Sequence, residues 1–244
     1  MNKLVYSELF EYISREIIGP FYALRLQRLQ ELKLNEVLRR KNPYLFKAKN
    51  ISTAQDLVTE ILQAHLSSQE ETVFGGYLEE LAITICSKVF GGRKSSTEGI
   101  DLEFERDSKR YIVAIKSGPN WANSSQISNM KDNFRKAKRT LKTNSSMTNV
   151  VAVNGCCYGK DRNPDKGEYL KLCGQEFWEF ISGDQELYKK IIEPLDKEAK
   201  QKDEQFKEAY SKKVNLLTKE FLDAFCTDGD INWENLLEFV SKKN

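Results

Sequence analysis

The sequence predicts an α/β (α+β) protein, a mixed central sheet flanked by helices with additional N- and C-terminal helices. Three observations carry this. Residues 99–118 read as a β-hairpin: 100–106 alternates apolar and acidic side chains, 111–115 is β-branched and aromatic, and Asp107, Ser108 and Lys109 supply the turn. On either side, 74–90 and 123–141 carry apolar residues at helical spacing, namely Phe74, Tyr77, Leu78, Leu81, Ile85 and Val89, then Ile127, Met130, Phe134, Ala137 and Leu141. Residues 150–153 are a short apolar strand ending at Asn154-Gly155. The order is helix, two strands, helix, strand.

The remaining elements follow in chain order. A helix over 4–18 ends at Gly19-Pro20, a breaker, and a second Leu- and Arg-rich helix spans 21–40. Ser52 or Thr53 caps a third, with Gln55 or Asp56 at capping-box spacing, running to about Leu66. Residues 67–72 read as a polar connection. Gly91-Gly92 stops the helix before the hairpin, and 93–98 is a basic, polar loop. Asn123, with Gln126 three residues on, opens the next helix. Residues 156–174 read as loop and 176–181 as a short helix. Strongly charged helices follow, at about 197–224 and 233–240. This divides the chain into an N-terminal helical region (1–66), a core (67–183) and a C-terminal helical region (184–244), expected to pack as one unit.

Composition narrows the chemistry. With 38 basic against 36 acidic residues, the net +2 exerts no global pull on nucleic acid, so any DNA-binding charge must be segregated locally. Residues 2–10 lack the pattern of a secretory signal, and no stretch approaches the roughly 20 apolar residues of a membrane span. Five cysteines without C-x-x-C spacing read as reduced, mostly buried thiols in a cytoplasmic protein. One histidine, His65, leaves catalysis to carboxylates, lysine or cysteine.

The hairpin has the residues for such chemistry. With Ser108-Lys109 at the turn tip, Asp101 faces Lys116 and Glu103 faces Ala114, with facing Cβ atoms roughly 5 Å apart. One face carries Ile100, Leu102, Phe104, Val113 and Ile115 for packing; the other carries Asp101, Glu103 and Lys116. Phosphodiester hydrolysis needs a hard divalent cation held by oxygen ligands and a cation near the attacking water. Asp101, a second carboxylate and Lys116 meet that need. The plain alternative is an exposed cross-strand ion pair, which stabilises little. Lys131, Arg135 and Lys138 on the following helix, with Asn120 and Trp121 in the loop after Lys116, are candidate DNA contacts. A solvated charged face and a capped turn are the plain alternatives there. Residues 155–171 are a candidate recognition loop.

An Asp followed fifteen residues later by a Lys that closes Val113-Ala114-Ile115-Lys116-Ser117 resembles the PD-(D/E)xK nuclease core, whose order is α-β-β-β-α-β. The wider sequence resembles the PmeII-like group of type II restriction endonucleases through NPYLFKAKN (42–50), SSQEETVFG (67–75), Leu78-Glu79, GIDLE (99–103) and IKSGPNW (115–121). The resemblance implies a restriction-endonuclease-like core and a Mg2+-dependent nuclease of double-stranded DNA leaving 5′-phosphate and 3′-hydroxyl ends. It also implies a homodimer if the target is palindromic. One position departs: the acid expected two residues before the lysine is Ala114. Glu79, four residues after Gly75, matches a G-x-x-x-E setting that related nucleases use, which favours it over Glu80 as the second metal ligand beside Asp101. Glu103 is the rival supplied by the hairpin register.

Overall fold

The computed structural model describes residues 2–144 and 149–243. The chain forms two compact units, the first from residues 1–17 and 74–197 and the second from 18–73 and 198–244. Both units are discontinuous in sequence.

The first unit is built on a five-stranded sheet. Its elements are α1 (Tyr6–Tyr12), the later part of α5 (Ala54–Phe90), β1 (Arg93–Lys94), β2 (Leu102–Arg106), β3 (Lys109–Lys116), α6 (Ser124–Asn144), β4 (Val150–Cys156), β5 (Leu170–Cys173), α7 (Gln175–Ser182) and α8 (Leu187–Lys190). The strand order is β1-β2-β3-β4-β5. The first three strands run antiparallel and β3, β4 and β5 are parallel, with α6 as the crossover between β3 and β4. The order from α5 to β4 is therefore α-β-β-β-α-β, one strand more than the pattern of 93–98 suggested. β1 is two residues long and carries exposed cations, too short and polar to signal itself.

β3 is the central strand and is buried on both faces. Ile112 and Ala114 pack with Ile100, Met130, Phe134 and Ala152 in the layer under α6. On the other parity, Tyr111 stacks on Phe104 with centroids 5.0 Å apart, Phe180 meets both rings edge-on, and Phe90 stacks on Phe104. Ile100 thus joins the α6 side rather than the face assigned to it with Leu102 and Phe104.

The hairpin register differs from the expected one. Arg106 pairs with Lys109 and Leu102 with Val113, placing Asp107 and Ser108 at the tip. Both have positive φ, 52° and 55°, the backbone of a two-residue primed turn that Asp tolerates. Glu103 therefore faces Ile112, not Ala114, and Lys116 lies opposite Cys156 of β4, not Asp101. The slip is by two positions, so it preserves which side chains share a face.

Other boundaries moved for local reasons. Residues 67–72 continue α5 without a break, since no Gly or Pro interrupts them. α6 begins with the expected reciprocal cap: Gln126 N–H donates to Asn123 Oδ1 at 3.0 Å and Asn123 N–H to Gln126 Oε1 at 2.9 Å. β4 extends through Cys156, and Leu170–Cys173, expected as loop, pairs with it as β5. Gly155 allows this packing: a Cβ there would lie 2.2 Å from the Phe177 ring.

The second unit is helical: α2 (Gly19–Glu31), α3 (Leu34–Leu38), α4 (Pro43–Ala48), the first part of α5, most of α9 (Glu193–Phe225) and α10 (Trp233–Ser241), with a small hairpin of β6 (Cys226–Thr227) and β7 (Asp230–Ile231). Its core is Leu29, Val37, Leu57, Leu62, Leu217 and Phe221 with their neighbours. Gly19-Pro20 does not end a helix. Residues Ile13–Ile18 form a π-helical turn ahead of it, and Pro20 lies just after that turn in a helical run that continues into α2.

Candidate active site

The candidate site lies where the second half of α5 meets the ends of the hairpin. Asp101 stands just ahead of β2. Its N–H donates to Val113 O at 2.9 Å, and its Oδ2 accepts the Ile115 N–H at 2.7 Å. The carboxylate is thus fixed by the backbone of the strand that ends in Lys116. α5 passes the end of β3 at Gly75, where a Cβ would come within 3.5 Å of Ser117 Cβ. Glu79, one helical turn on, shares the field of both hairpin residues. Its carboxyl is held above the usual carboxylate range by burial first and by the Asp101 charge second, with Lys94 and Lys116 pulling the other way. Its neighbour Glu80 is exposed and paired with Lys94 at 2.6 Å. The two neighbouring glutamates thus sit in different surroundings, Glu80 paired in solvent and Glu79 partly buried.

Lys116 is half-buried, with Nζ 5.3 Å from the centre of the Trp121 ring. The Trp121 indole N–H donates to Asn154 Oδ1 at 3.2 Å, and Asn154 Nδ2 donates to Ala114 O at 3.1 Å. Asn154 is 1% exposed and sits opposite Ala114 on β4. A chain of contacts therefore runs from the backbone at Ala114 through Asn154 and Trp121 to Lys116. Asn154 carried no signal in sequence beyond being a polar residue closing an apolar strand.

The model of the family "Type II restriction endonuclease EcoO109I" matches residues 7–203. The chain belongs to that family. As a type II restriction endonuclease it is an endodeoxyribonuclease, a hydrolase whose substrate is DNA. The fold is consistent with that assignment. No curated protein matches the chain.

Within this restriction-endonuclease family member, several expected site residues are engaged elsewhere. Glu103 is buried, accepting from the Ser95 hydroxyl and from Arg110 Nη2 at 2.6 Å, with Arg93 3.6 Å away. Burial alone would raise its pKa; Ser95 and Arg110 outweigh that and hold it low. Its carboxylate is spent inside the hairpin, while Glu79 lies in the electrostatic field of Asp101. On α6, Arg135 makes a two-pronged contact with Glu168 at 2.7 and 2.9 Å and also meets Asp132. Lys131 lies 3.4 Å from Glu168, and Lys138 Nζ donates to the Glu168 carbonyl at 3.1 Å. Asn120 is exposed beside the site. The 155–171 loop is braced internally, with Asp161 pairing Lys166 and Lys171.

The cysteines Cys86, Cys156, Cys157 and Cys173 are buried and free. Burial pushes the Cys86 and Cys157 thiols up to about 12, far from a nucleophile's range. Among the described residues no helix is long and apolar enough to cross a membrane.

Proposed function

We propose that the protein is a Mg2+-dependent type II restriction endonuclease that hydrolyses phosphodiester bonds of double-stranded DNA at a specific sequence, leaving 5′-phosphate and 3′-hydroxyl ends. Asp101, Glu79 and Lys116 would be its centre. The observation that carries this reading is the convergence of one backbone-fixed carboxylate, one carboxyl raised by burial and then by its acidic neighbour, and one lysine.

The donor set fits a hard cation. Two carboxylates in each other's field are costly without one, and magnesium is commonly held by one or two carboxylates plus water and substrate phosphate. Asp101 and Glu79 would hold it, and the ion, when bound, supplies positive charge where the scissile phosphate becomes more negative. Asp101 keeps its position because Ile115 N–H restrains Oδ2 and leaves the carboxylate's remaining acceptor sites open. Lys116 Nζ has three donors to orient a water against phosphorus and adds its own charge to the developing oxyanion. Trp121 limits where that ammonium can go.

Ala114 favours a second reading, a DNA-binding protein of nuclease fold without catalysis. Among the described residues no group of three or more His, Cys, Asp or Glu side chains is placed to hold a metal. A plasmid cleavage assay with and without Mg2+ separates the two readings: metal-dependent fragments support the enzyme, whereas DNA binding without cutting supports the second. A homodimer matches a palindromic target, since two-fold protein symmetry then meets two-fold site symmetry.

A further inference from the structure

We infer that a basic cleft in the helical unit, remote in sequence from Asp101 and Lys116, is a binding site for the phosphate backbone of duplex DNA. Arg28 of α2, Arg40 and Lys41 just beyond α3, and His65, Ser68 and Gln69 of α5 line a cleft of about 320 Å3. The inference rests on the chain acting on duplex DNA and adds a surface that neither the family match nor the hairpin assigns.

Charge is the first argument. Residues 18–53 carry eight Arg and Lys (Arg25, Arg28, Lys33, Arg39, Arg40, Lys41, Lys47, Lys49) against two acids, Glu31 and Glu36, in a chain that is otherwise nearly neutral. This is the local segregation that the small net charge requires of a DNA-binding protein. The second argument is that the cleft's cations are unspent. Lys131 and Arg135 of α6 lean on Glu168, Arg110 on Glu103, and Arg25 on Glu70 and Asp203. The side chains of Arg28, Arg40 and Lys41 make no ion pair or hydrogen bond among the described residues. Three like charges around one cleft repel, and an anion lying among them removes that cost.

The floor of the cleft is polar and incompletely satisfied. His65, 6% exposed, contacts the Gln69 amide at 2.8 Å, and the other end of that amide, Oε1, is buried without a partner. The Gln69 amide therefore keeps unused hydrogen-bonding capacity beside His65. Burial first, then Lys41 and Arg40, favour the neutral imidazole against the weaker opposite pull of Glu36, so the cations' field reaches the cleft floor. Exposure selects a polyanion over a small ligand: Arg40 is exposed and Arg28 and Lys41 are half-buried, as suits a backbone lying across a surface. Contacts of this kind set affinity and register without reading sequence.

The test is binding of full-length protein to a mixed-sequence duplex in EDTA, by fluorescence anisotropy from low to physiological salt. The Arg28→Gln, Arg40→Gln, Lys41→Gln triple variant is expected to flatten the slope of log affinity against log salt by about 2.7, at about 0.9 per lost phosphate contact. The charge-conserving pair Arg28→Lys, Arg40→Lys is expected to keep the wild-type slope. A triple variant with the wild-type slope overturns the inference, as does equal flattening in the charge-conserving pair or wild-type protein that binds no duplex. Cutting is scored separately: cleft-dependent binding with no Mg2+-dependent cleavage by wild type would sink the nuclease reading and leave the cleft standing.

Discussion

The Asp101 carboxylate accepts the Ile115 backbone N–H at 2.7 Å, so the acid is registered against the strand that ends at Lys116 rather than against Lys116 itself. An acid held this way keeps its position whether or not the lysine is present. Lys116 can then be removed without collapsing the other half of the site.

Glu103 should behave as a structural residue. Glu103→Gln removes a charged partner from Arg110 inside the hairpin and should lower stability by roughly 1–3 kcal/mol, read by urea unfolding. Its folded pKa is depressed, so its contribution is present above the ordinary glutamate range and lost as pH falls through the folded value. The gap between wild type and variant should therefore be widest at neutral pH and close in acid. A gap that widens in acid would contradict the pairing.

Glu79 should show the opposite sign. Its folded pKa is raised, by burial and then by Asp101, so the stability it contributes is present at low pH and lost as pH rises through that value. In metal-free protein at neutral pH, Glu79→Gln should therefore melt above wild type. Added Mg2+ should raise the wild-type Tm and leave the variant's nearly unchanged. Equal metal response in both proteins would remove Glu79 from the ligand set.

Ala114 packs at 1% exposure beside Ile112, Met130 and Phe134. Placing here the acid that the resemblance to the PD-(D/E)xK core leads one to expect should not improve the enzyme. Ala114→Glu should cost roughly 2–4 kcal/mol from overpacking and burial of a carboxylate. A variant with wild-type Tm and faster cutting would show that the space is open.

Trp121, a candidate DNA contact, donates its indole N–H to Asn154 and its ring borders Lys116. If it restrains the lysine, Trp121→Ala should lower kcat by roughly tenfold to a hundredfold with KM little changed, and Trp121→Phe should retain part of the rate. A raised KM at constant kcat would instead mark a DNA contact.

Much of this architecture was legible in the chain. The apolar spacing of 74–90 and 127–141, the Asn123–Gln126 cap and the alternation of 100–106 are all local signals, and the elements they mark are present. What escaped were features set by tertiary pairing. β1 and β5 are short strands that exist because β2 and β4 offer them an edge. The register slipped because two adjacent turns were chemically acceptable and only the positive φ at Asp107 and Ser108 decides between them. At the candidate site, Asp101 and Lys116 stand out by residue type and spacing, and Glu79 by the resemblance to related nucleases. That Glu103 is committed to Arg110 and that Asn154 underlies Trp121 depend on neighbours from other strands, which spacing along one chain does not encode.

The most direct test is cleavage of mixed-sequence linear duplex DNA with Mg2+ by wild type and Lys116→Ala, with binding of each protein measured in parallel. Wild type should yield discrete fragments, while the variant should bind with similar affinity and cut at least a hundredfold more slowly, about the effect of losing one charge-stabilising donor. Equal cutting by the variant, or no metal-dependent cutting by wild type, would contradict a nuclease centre at Asp101, Glu79 and Lys116.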